Sequence, residues 1–129
     1  MKPEAAAYLR KAQENIDEAK KIYGIGLASV AARSAYYAAF HAAEAFIISH
    51  TGKVAKSHTG VRSEFSRLAK DNQNIDRAFS TFLAKAYKYK EIGDYDVENS
   101  TIITMSIADD AIKTSERFIN CISELLSSS

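Results

Sequence analysis

From Leu27 to Ser49 the chain is apolar almost all the way around a helical wheel, the pattern of a helix enclosed by other protein. At roughly 100° per residue, Ala28, Ala31, Ala32, Ala35, Ala38, Ala39 and Ala42 share one broad face, which lets a neighbouring helix approach closely. The few polar residues, Ser29, Arg33, Ser34, His41 and Glu44, fall within an arc of roughly 140°, and Tyr37 projects from its middle. An enclosed helix needs an enclosure, and 129 residues of which 47% are hydrophobic can build one core but not two. One domain over residues 1–129 is expected.

The remaining segments read as the enclosing helices. Pro3 and Glu4 suit a first helical turn. Ala5, Leu9, Ala12, Ile16, Ala19 and Tyr23 then recur at helical spacing, and Gly24 and Gly26 end that helix. Thr51 and Gly52 close the second. Ser57 or Thr59 can cap a third, with Val61, Phe65 and Leu68 as its buried stripe. After the polar connector Asp71–Asn74, the spacing of Ile75, Phe79, Phe82, Ala86 and Tyr89 predicts a fourth helix, broken at Gly93. The last helix starts between Thr101 and Ser106. Ser106 and Asp109 resemble a capping box, and the core stripe is Ile107, Ala111, Ser115, Phe118, Ile122 and Leu125. No window alternates at period two, so the fold is all-α. Short connections between long helices favour an up-and-down bundle.

Composition narrows the function classes. A formal net charge of +1 gives no bulk electrostatic case for nucleic acid or membrane. The single cysteine, Cys121, excludes an internal disulfide and argues against a cysteine-based zinc site. The three histidines lack close ligand spacing, so neither metal nor cofactor is expected. The N-terminal residues lack the apolar run of a signal peptide, and no stretch reads as a membrane span, which makes the cytoplasm the expected location.

Three stretches carry a family likeness. They are Arg33-Ser34-Ala35-Tyr36-Tyr37-Ala38-Ala39-Phe40-His41-Ala42-Ala43, Lys56-Ser57-His58-Thr59-Gly60-Val61-Arg62-Ser63-Glu64-Phe65 and Tyr89-Lys90-Glu91-Ile92-Gly93-Asp94-Tyr95-Asp96. In order and spacing they resemble the small stand-alone HEPN proteins of prokaryotes, from about Tyr8 to Leu126. The resemblance implies a four-helix up-and-down bundle with a short fifth helix, commonly dimeric. It also implies a minimal nucleotidyltransferase as partner, often in a toxin–antitoxin pair. Active relatives are metal-independent ribonucleases carrying Arg, four to six residues, then His.

That motif is absent. His41, His50 and His58 follow Arg33, the nearest upstream arginine, after seven, sixteen and twenty-four intervening residues. Where the motif would lie, the chain reads Lys90 to Asp94. Cleavage through a 2′-hydroxyl needs an imidazole-like acid or base and a cation for the phosphate. Asp94 would repel the phosphate, and Lys90 lacks arginine's two-pronged fork.

The candidate binding residues are therefore Arg33, Tyr37, His41 and Glu44 on the arc, His58 and Arg62 at the third helix, and Lys90, Asp94 and Tyr95 after the fourth. Each has a plainer reading. The arc can be a buried polar network that sets helix register, and His58 a packed group beside a cap. Lys90 to Tyr95 can be no more than a helix terminus and loop. Tyr36, Tyr37, Phe40 and Phe46 read as core rather than base-stacking residues. The expected function is a non-catalytic HEPN module that binds a minimal nucleotidyltransferase or a nucleotide-like ligand. The alternative is a ribonuclease toxin in which Arg33, His41, His58 and Asp94 converge. A bundle that only oligomerises is the third reading.

Overall fold

The computed structural model describes residues 1–95 and 102–127, with the side chains of 93–95 outside that description. Five helices follow in order: α1 (Pro3–Gly24), α2 (Ala28–Thr51), α3 (His58–Ala69), α4 (Ala78–Tyr95) and α5 (Met105–Ser127). The described residues form no strand. No described helix is long and apolar enough to cross a membrane.

Helix α2 touches each of the other four, most extensively α1 and then α5. Its small side chains are the reason. Ala31, Ala32, Ala35, Ala38, Ala39, Ala42, Ala43 and Ala45 are all fully buried, so neighbouring backbones close in until the methyl groups meet. At Ala35 the approach is close enough for the fully buried Ser115 Oγ of α5 to donate to the Ala35 carbonyl at 2.7 Å. One apolar cluster runs through all five helices, with Tyr36, Phe46, Phe65, Phe118, Ile16, Ile47 and Leu83 as its largest buried members.

The ends of α2 and α3 follow local chemistry. Gly52, at φ +78°, takes the left-handed turn after α2 and gives its N–H to the Ile48 carbonyl. Ser57 Oγ caps α3 by accepting from the Gly60 N–H at 2.9 Å. Gly60 has no room for a side chain: a Cβ there would meet Ala55 Cβ at 2.9 Å and Ser57 Oγ at 3.0 Å. The glycine of the His-Thr-Gly-Val stretch is thus dictated by the folded-back segment ahead of α3.

Several boundaries and stripes differ from the sequence expectation. Helix α4 begins at Ala78, three residues after Ile75, because Asp76 Oδ1 accepts from the Ala78 N–H at 2.9 Å and so marks the start. It continues through Gly93 to Tyr95, since one glycine weakens a helix without stopping it. Leu83, not Phe82, lies in its core, and Ala69 outranks Leu68 in α3. The start of α5 is capped by Thr104, whose Oγ1 accepts from Ile107 N–H at 3.1 Å, so Ser106 lies inside the first turn. The buried stripe of α5 also takes in Ala108, Ile112, Ile119 and Leu126, with Ile107 and Leu125 at its edges.

Candidate functional site

The outward strip of α2 is neither core nor open surface. Arg33, Tyr37 and His41 are half-buried and Glu44 is buried. His41 and Glu44 stand one helical turn apart and close on each other, His41 Nδ1 lying 2.6 Å from Glu44 Oε1, with side chains 12% and 11% exposed. Tyr8 of α1 stacks on the His41 ring at 6.4 Å. Burial, and then the Glu44 charge, push the Tyr8 hydroxyl above its ordinary range.

On the other flank, α3 begins with His58, and capping by Ser57 points the imidazole back into α2. The ring stacks on Phe40 at 4.4 Å and lies 5.9 Å from Tyr37 and 5.3 Å from Tyr87 of α4. Its Nδ1 is 2.7 Å from the Tyr36 hydroxyl. Burial drives the Tyr36 phenol far above its usual range, with the Arg62 charge offsetting only part of this. Burial, then Lys90 and Arg62, hold His58 below the usual histidine range. With the phenol protonated and the imidazole neutral, the hydroxyl donates to Nδ1 in the tautomer that carries its ring hydrogen on Nε2.

Four residues after His58, the Arg62 guanidinium lies over the Tyr87 ring, 4.6 Å from its centre. The Lys90 ammonium, on the same α4 face as Tyr87, is 5.9 Å from that centre. A chain with net charge +1 thus concentrates two cations around one aromatic ring beside a neutral imidazole. Such contacts are each worth about 0.5–2 kcal/mol.

The sequence-nominated residues therefore gather in part. His41 and His58 share Tyr37 and Phe40 as ring neighbours, at 6.2 and 5.6 Å for His41. Arg62 and Lys90 join from α3 and α4, and Arg33 lies one turn before Tyr37. The side chains of Asp94 and Tyr95 lie outside the described residues. His50 stands apart, at the end of α2, where its Nδ1–H donates to the Phe46 carbonyl at 3.0 Å. Among the described residues no three His, Cys, Asp or Glu side chains are grouped to hold a metal.

Three members were not nominated. Tyr36 reads as core, and its ring is fully buried, yet a phenol on an apolar face needs a partner, and that demand was the available signal. Tyr87, one turn before Lys90, was detectable by spacing. Tyr8 carries no such signal, because its role depends on how α1 packs on α2.

A five-helix bundle wrapped around an alanine-rich central helix, with a histidine- and tyrosine-lined seam along one side, defines a class of small all-helical domain. The HEPN domain model matches residues 5–125, and the chain belongs to the HEPN domain family. A UPF0332 protein of Archaeoglobus fulgidus is 34% identical over 92 residues, covering 65% of this chain and 73% of that protein. A Methanocaldococcus jannaschii protein described as a candidate toxin is 27% identical over 126 residues, 98% of this chain and 91% of its own length. The crystal structure of TT1696 from Thermus thermophilus shares the fold, with a TM-score of 0.80 at 20% identity over 95% of this chain and 98% of that one.

Proposed function

We propose that this chain is a cytoplasmic HEPN module without ribonuclease activity. It pairs with a second copy of itself and offers the seam between α2, α3 and α4 to a nucleotide-like, phosphate-bearing ligand or to a minimal nucleotidyltransferase partner. The observation that carries this reading is the state of the seam. Both imidazoles already have partners, His41 with Glu44 and His58 with Tyr36, and Arg62 and Lys90 each lie against the Tyr87 ring next to His58. That arrangement suits holding an anion better than moving protons on and off a sugar hydroxyl. The absence of the Arg-x(4–6)-His spacing supports the same reading. Likeness to a protein described as a candidate toxin supports a place in a toxin–antitoxin pair.

The second reading, a ribonuclease toxin using Arg33, His41, His58 and Asp94, draws on one observation. A carboxylate-held imidazole is also how enzymes orient a general base, and Glu44 holds His41 in that manner. Two measurements separate them. Purified protein incubated with mixed RNA is expected to leave it intact, while its melting temperature rises with added nucleoside phosphates. Cleavage of the RNA, lost in His41→Ala or His58→Ala, would establish the enzyme instead. Expression without any neighbouring nucleotidyltransferase gives a parallel readout: growth arrest relieved by the same substitutions favours the enzyme.

A further inference from the structure

Among the described residues two buried side-chain atoms have no hydrogen-bond partner, Asn15 Oδ1 and Arg62 Nη1. The second belongs to the seam. A buried guanidinium N–H without an acceptor is an unmet demand, and an oxyanion is the acceptor whose geometry and charge match it best. Beside it stands His58, whose surroundings are unusually one-sided. The groups around it are Tyr36, Tyr37, His41 and Glu44 from α2, Arg62 on its own helix, and Tyr87 and Lys90 from α4. Among the described residues, Arg62 and Lys90 oppose a positive charge on His58 and Glu44, held by His41, favours one.

We propose that the anion site is proton-linked: a phosphodiester oxygen seated against Arg62 and Lys90 binds together with one proton that His58 takes up from solvent, so the ligand is held more tightly in mildly acid than in neutral solution. The proposal rests on the binding reading above. The empty seam resists protonation of His58, because burial and both cations oppose a third positive charge there. An anion held by those cations cancels part of that opposition, and by linkage whatever raises the proton's affinity for His58 also raises the ligand's affinity in acid. Once Nδ1 carries a proton it donates to the phenol oxygen and the phenol hydrogen turns away from it, a cost that the bound anion has to offset. No covalent bond forms.

The test uses the full chain and the thymidine dinucleotide, titrated calorimetrically at constant ionic strength between about pH 5.5 and 7.5, the window in which imidazole changes charge. This probe carries one phosphodiester charge throughout that range, its bases do not titrate there, and it has no 2′-hydroxyl to be cleaved. The dissociation constant is expected to fall by about three- to tenfold toward acid. In parallel, the NMR titration midpoint of the His58 ring should move upward when the dinucleotide saturates the protein. His58→Gln should bind with no dependence on pH. Binding equally tight across the range, or a His58 midpoint unmoved by ligand, overturns the linkage. If that pH-independent binding is lost in Arg62→Gln, the anion site itself survives. No binding at any pH would sink the site and the linkage with it. Should His58→Gln fail to fold, the His58 titration in the unaltered protein decides alone.

Discussion

At the scale of single residues, the seam consists of polar groups that answer one another. Glu44 is only 8% exposed, and His41 is its hydrogen-bond partner. Removing the partner leaves a desolvated carboxylate, so His41→Ala should destabilise the fold by about 1–3 kcal/mol in urea unfolding. A loss within error would mean that Glu44 turns to water. His58 supports a second prediction. Its folded-state pKa lies below the ordinary histidine value of 6.5, so the unfolded chain binds a proton first as the solution is acidified. This contribution to stability is full above about pH 6.5, drains away as pH falls from there through the folded-state value, and is constant below it. Urea midpoints at several pH values should therefore show a steeper acid loss in the unaltered protein than in His58→Gln. Parallel curves would show that the ring is not held neutral.

Among elements, α2 sets the terms. Its alanine face lets α1 and α5 approach until a serine hydroxyl on α5 reaches the Ala35 carbonyl at 2.7 Å. Ala35→Leu must push that contact apart, and a cost of about 1–3 kcal/mol is expected from overpacking. An unchanged melting curve would show that the helices part there at no cost. The elements also show which sequence signals are dependable. Apolar period gave helices α1 and α2 nearly to the residue, and of the two caps the sequence offered for α3, Ser57 and Thr59, the structure uses Ser57. Gly93 misled, because a glycine lowers helix propensity by about 1 kcal/mol and packing against α2 readily outweighs that. Ser106 misled for another reason. Two neighbouring hydroxyls could each cap α5, and only the path of the incoming chain selects Thr104.

For the molecule as a whole, the open side of α2 carries Val30, half-buried Tyr37 and Ile48, and the seam beside them. A second copy packed on Val30 and Ile48 would cover these two aliphatic side chains, so sedimentation at micromolar concentration is expected to give twice the chain mass, with Val30→Asp and Ile48→Glu together returning it to the monomer. A monomer at every concentration would remove pairing from the proposal. The sequence by itself determined that this chain builds its fold from helices, that one helix is enclosed, and that the enclosed helix keeps a narrow polar arc, because those properties follow from local period and side-chain size. Only the tertiary structure decided that His58 meets Tyr36 across 22 positions of sequence, or that Arg62 of α3 and Lys90 of α4 share the ring of Tyr87. Such pairings depend on the rotation and axial offset of one packed helix against another, which periodicity within each helix leaves undetermined.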